Sequence, residues 1–156
     1  MYQRILVPVD GSATAGRGLA EALKLAKLTG ASVRLLHVVD ELYAAVGMPG
    51  FAEANIDVLQ LLKDGGQKVL AAAVQQAQAA QVPVDSVLVE SYSGRLHEIV
   101  AEQVQNWGAE LVVLGSHGRR GVGRMVLGSD AEQIIRSSQV PVLVVDGKPL
   151  HQIVAI

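Results

Sequence analysis

Five glycines and three arginines are gathered in residues 115–129, which read GSHGRRGVGRMVLGS. At Gly115, Gly118, Gly121, Gly123 and Gly128 no Cβ keeps a ligand from the backbone, so amides can turn inward and approach it closely. Ser129 then opens a helical stretch, whose first amides and positive dipole end favour an anion. The pattern reads as a phosphate cradle, and so as a nucleotide site rather than a generic pocket. The competing reading is a flexible surface connection, which the strand before and the helix behind argue against. For Arg119, Arg120 and Arg124 the competing reading is a solvated basic surface. Guanidinium groups suit bidentate phosphate contacts, so Arg119 and Arg124 are taken as auxiliary contacts and none of the three as essential.

Other chemistry is thin. Asp10 precedes Gly11-Ser12 at the end of an apolar run, where a carboxylate either faces a ligand or serves the turn. The ligand-facing role is preferred for Asp10, and helix capping for Ser12. Four histidines are present, none at metal-ligand spacing from another. His37 reads as a satisfied strand residue, His97 as helix surface, and only His117, inside the glycine loop, has a functional case. No Ser-His-Asp order, GK[ST] phosphate loop or kinase catalytic loop is present. No catalytic residue is assigned, and the metal ligands stay unknown.

These groups sit on a chain of 156 residues, one domain by length, half of it hydrophobic but with few aromatics. Its core must therefore be aliphatic, as parallel sheets covered by helices tend to be. A formal net charge of −2 argues against a nucleic-acid partner. The absence of cysteine removes disulfides, thiolate zinc and cysteine catalysis. With neither a signal architecture nor a run long enough to span a membrane, a cytoplasmic domain is expected.

Strand and helix alternate along the chain. Strands are expected over 5–9, 32–39, 84–90, 110–114 and from Val140 to Val145; helices over 14–28, 53–81, 96–107 and 129–138. Residues 40–51, interrupted by Gly47, Pro49 and Gly50, read as a loop or lid, and Gly65-Gly66 as a possible kink. The fold class is α/β: a five-stranded parallel sheet with helices on both faces. Its expected order is doubly wound, flavodoxin-like or Rossmann-like, with the flavodoxin order placed first. Ligands of such sheets lie beyond the strand carboxyl ends where the winding reverses. Pro8, Val9 and Asp10, the residues around Val39, and the glycine loop would converge there.

Gly115-x-x-Gly118, nine residues, then Gly128-Ser129 resembles the nucleotide-binding signature of the universal stress protein family. ILVPVDGS, LLHVVD, LVVLGSHGRRG and VPVLVV follow that family's order over nearly the whole chain, residues 1–147, with 148–156 as a tail. The resemblance implies a homodimeric regulator that binds ATP, with magnesium, and hydrolyses it weakly at most. Carried over, Pro8 and Asp10 border the nucleoside and the Val39 backbone reads the adenine edge. Gly115, His117 and Gly118 lie along ribose and phosphates, and Gly128 and Ser129 hold the phosphate chain. Asp130 departs from the family pattern: a carboxylate there suits the helix dipole, would repel a phosphate if turned inward, or would help hold magnesium. The unbroken apolar strand 140–145 is the candidate dimer edge. The alternatives are a slow ATPase or phosphotransferase, and an adaptor dimer that binds AMP, a cyclic nucleotide or nothing.

Overall fold

The computed structural model describes residues 1–41, 52–92, 95–117 and 127–146, with the backbone alone for 52–57. β-Branched and leucine-rich runs form the strands β1 (Arg4–Pro8), β2 (Ser32–Asp40), β3 (Val84–Ser91), β4 (Leu111–Gly115) and β5 (Val142–Val145). Between them run α1 (Ala13–Thr29), α2 (Ala52–Ala79), α3 (Leu96–Trp107) and α4 (Ser129–Ser137). Ser12 caps α1 by accepting a bond from the Ala15 amide at 3.1 Å, and Gly30 and Gly108 end α1 and α3.

All four strand pairings are parallel, in the order β3-β2-β1-β4-β5. The doubly wound α/β class is the one expected. Within it the order is the Rossmann-like one, because β3 pairs with β2 instead of crossing to the far side of β1. Two successive crossovers therefore run one way and the next two run the other. The winding reverses between β1 and β4, which pair through Ile5↔Leu111 and Leu6↔Val112.

Each face of the sheet buries its own aliphatic layer. Ile5, Val7, Val33, Leu35, Leu111 and Val113 pack under α1 and α2, against Leu19, Leu23, Leu70 and Ala77. Leu6, Leu36, Val112 and Leu114 pack under α3 and α4, against Ile99, Val100, Val104 and Ile134. At about 25 cal/mol per Å2 of apolar surface removed from water, these two layers supply most of the folding drive.

Packing and pairing add detail to these expectations. α2 runs through Gly65-Gly66 as one helix, as the pattern implies. Gly66 marks a close approach, since a Cβ there would stand 2.6 Å from Cδ2 of His37. The last described strand starts at Val142, because Val140 lies in a bend where the Ser138 hydroxyl bridges to its backbone, while Pro141 contributes only its carbonyl, which accepts from the Val112 amide at 3.0 Å. The remaining strands shift by a residue at their ends, as main-chain pairing decides. Of the expected loop 40–51, Asp40 closes β2 and Glu41 is buried, while 42–51 lie outside the described residues, as does the tail 148–156.

Candidate functional site

The winding reverses between β1 and β4, and doubly wound sheets take their ligands in the crevice at the carboxyl ends of the strands that flank such a reversal. On one lip, β1 delivers Pro8, Val9 and Asp10. The Val9 amide bonds to the Leu36 carbonyl at 2.8 Å and the residue is nearly fully buried. Asp10 then makes the turn: its Oδ1 accepts from the Ser12 amide at 2.8 Å, and Gly11 takes a left-handed φ of 81°. One carboxylate oxygen thus serves the turn, the role ranked second for Asp10. Ser12 caps α1, as expected.

On the other lip stands Gly115, the last residue of β4. A Cβ at this position would lie 2.8 Å from the main-chain carbon and Cγ2 of Thr14. Gly18 completes the seat, since its own Cβ would lie 3.2 Å from the Gly115 amide nitrogen. The glycine at 115 is thus demanded first by α1 packing across β4, before any ligand is considered.

The loop that follows is drawn shut at its base. The Gly128 amide donates to the Ser116 carbonyl at 2.8 Å, and the Ser116 amide donates to the Val145 carbonyl at 2.9 Å. Gly118, Arg119, Arg120 and Arg124 lie outside the described residues. The clasp nevertheless brings the amino end of α4 back to the end of β4. Gly128 is the N-cap of that helix and provides no side-chain capping bond, in contrast to Ser12 on α1. The first-turn amides of Ser129 and Asp130 therefore follow an N-cap that has no side chain to satisfy them.

His117 keeps its place beside this clasp, with its Nδ1 2.9 Å from the Ser116 hydroxyl. Ser116 is buried, and sequence reasoning passed over it; its signal was its position between a strand's last residue and the loop histidine. Asp130 is exposed and lines an open cleft between α3 and α4 with Arg95, His97, Gln133, Arg136 and Ser137. Its carboxylate sits at the positive end of the α4 dipole and in basic company.

Val39 is buried in β2 and opposite Glu90 of β3. β1 pairs with β2 only as far as Pro8↔Leu36, so Val39 lies beyond the last β1 pairing, past the end of the β1 ladder. Beside it, Lys63 of α2 holds Glu90 at 2.9 Å, which keeps the Glu90 carboxyl below its ordinary range. The Tyr92 phenol is pushed up by its hydrogen bond to the Glu41 carboxylate and by the charge of that group. Among the described residues no group of three or more histidine and carboxylate side chains is placed to hold a metal ion. None of the described helices is long and apolar enough to cross a membrane.

The universal stress protein family model matches residues 1–146. This chain belongs to the universal stress protein family. Among its relatives, universal stress protein MJ0531 of Methanocaldococcus jannaschii is 34% identical over 146 residues, covering 93% of this chain and 82% of that protein. Universal stress protein A homolog 2 of Coxiella burnetii is 30% identical, covering 92% and 94%. Among solved structures, MJ0577 superposes with a TM-score of 0.81 at 28% identity, over 96% of this chain and 99% of that one. The family match spans both lips of the crevice, the clasp and β5.

Proposed function

We propose that this universal stress protein is an adenine-nucleotide-binding regulator, with ATP and its magnesium as the ligand and a homodimer as the working form in the cytoplasm. The observation that carries the reading is the Gly128–Ser116 clasp, which brings an amino-terminal helix end without a side-chain cap to the point where the sheet winding reverses. The triphosphate lies along Gly115, His117 and Gly118 and ends on Gly128 and Ser129. Pro8, Val9 and Asp10 border the nucleoside. The Val39 backbone, past the end of the β1 ladder, meets the adenine edge. Arg119 and Arg124 assist from the loop, and Asp130 serves the α4 dipole.

One solved universal stress protein is in complex with cAMP, and one from Archaeoglobus fulgidus is in complex with dAMP. Each shares the fold with this chain, at 21% identity and TM-scores of 0.66. These two ligands make the adenine monophosphates the comparison for ATP.

Among the described residues β5 ends the sheet order, with no strand paired on its outer side and Leu143 38% exposed. A second copy pairing along that edge gives the homodimer. The testing experiment is substitution in the cradle. Gly118→Val and Gly128→Val abolish ATP binding while circular dichroism stays that of the folded protein. A folded variant that binds ATP like the unsubstituted chain would overturn the cradle.

A further inference from the structure

We propose that His37 is a positioning residue for this site, clamping the Val9 carbonyl so that the Val9–Asp10 peptide is held in one orientation, and that Gly66 is the gap that admits its ring. The proposal rests on the nucleotide reading above.

The need for a clamp follows from where the β1 ladder stops. Register pairing with β2 ends at Pro8↔Leu36, and one further bond joins the Val9 amide to the Leu36 carbonyl. Val9 is 6% exposed, so its own carbonyl cannot rely on water, and a buried acceptor left alone is costly. Nδ1 of His37 stands 2.8 Å from that oxygen. A carbonyl can only accept, so Nδ1 carries the proton, and the side chain takes over where the strand ladder ends. The trans peptide is planar, and its N–H points opposite to its carbonyl. With the Val9 carbonyl turned to the His37 ring, the Asp10 N–H is turned the opposite way, away from that ring. From there the Asp10–Ser12 bond and the Ser12 cap carry the constraint on into α1.

Gly66 completes the arrangement from the opposite side. A Cβ there would meet Cδ2 of His37 at 2.6 Å, Nε2 at 3.0 Å and Leu88 Cδ1 at 3.0 Å. Glycine is a poor residue for the interior of a long helix. Its presence in α2 is explained by a ring that lies flush against the helix.

The test is ATP titration of four chains: the unsubstituted protein, His37→Phe, His37→Asn and Gly66→Ala. Phenylalanine keeps a ring and loses the donor, whereas the asparagine amide restores an N–H near the place of Nδ1. Loss of this one positioning hydrogen bond weakens ATP binding about tenfold in His37→Phe. His37→Asn recovers most of the affinity, and Gly66→Ala, which displaces the ring without removing it, falls with the phenylalanine variant. Should His37→Phe fail to fold, the comparison of Gly66→Ala with His37→Asn decides. A folded His37→Phe chain that binds like the original, or an asparagine variant no better than phenylalanine, overturns the proposal. If the unsubstituted protein binds no nucleotide, the nucleotide reading fails on its own. The clamp is then judged from imidazole nitrogen NMR, where a ring protonated only at Nε2 overturns it.

Discussion

Thr14 and Gly115 meet so closely that a Cβ on the glycine would stand 2.8 Å from the main-chain carbon of the threonine. This contact pins the first turn of α1 across the end of β4, on one lip of the crevice. Gly115→Ala must push helix and strand apart, and overpacking of this kind destabilises by about 1–3 kcal/mol. Gly16, two residues further along α1, has nothing within 4 Å of its would-be Cβ. Gly16→Ala is therefore neutral or stabilising, by up to about 1 kcal/mol, since alanine is the better helix former. Urea unfolding of the two variants checks the pair, and equal midpoints would contradict the packing assignment.

Arg34 of β2 forms a two-pronged bond to Asp85 of β3, at 2.9 and 2.7 Å, with its guanidinium 4.7 Å from the centre of the Trp107 ring. The fork and the ring contact together join the β2–β3 pair to the end of α3. Asp85 is half exposed, so solvent screens the charges. Arg34→Met lowers stability by about 1 kcal/mol. Arg34→Lys recovers only part of it, because an ammonium cannot make the fork. Denaturant midpoints read both, and a lysine variant as stable as arginine would remove the fork from the explanation.

Lys63 holds the Glu90 carboxyl below its ordinary range chiefly through their hydrogen bond. A carboxyl whose folded value is depressed contributes stability above its unfolded pKa and loses it as pH falls through the lower folded value. Lys63→Met removes that contribution. The Glu90 carboxyl, followed by carbon NMR, then titrates at a higher pH than in the unsubstituted protein. The stability difference between the two chains shrinks toward zero in acid. An unmoved Glu90 titration would show that the ion pair is not formed in solution.

Local features were the readable part of this chain. The aliphatic runs at Ile5, Leu35, Val87, Val112 and Val144, separated by Gly30 and Gly108, announce alternating strands and helices. The Asp10-Gly11-Ser12 turn gives the entry to α1. Pairing across distance was not readable. Whether β3 lies beside β2 or beyond β1 depends on register contacts such as Arg34↔Asp85, which no local window contains. For the same reason Gly66 looked like a helix defect, Gly115 looked like ligand clearance, and His37 looked like a passive strand residue. In each case the reason is a neighbour from another element: His37 for Gly66, Thr14 for Gly115, and Val9 for His37. A polar residue between Leu36 and Val38, in a strand buried on both faces, was the one hint that His37 had a partner.

In the proposed function, the loop tied off by Gly128 and Ser116 holds the phosphates of an adenine nucleotide. The decisive measurement is isothermal titration of the nucleotide-stripped protein with ATP, AMP and cAMP in magnesium. Saturable, one-to-one binding with ATP tighter than either monophosphate is expected, since only the triphosphate brings β- and γ-phosphates to the uncapped α4 amino end. Preference for AMP or cAMP would keep the nucleoside site and remove the triphosphate cradle. Heat signals at the dilution level for all three ligands would contradict the claim outright.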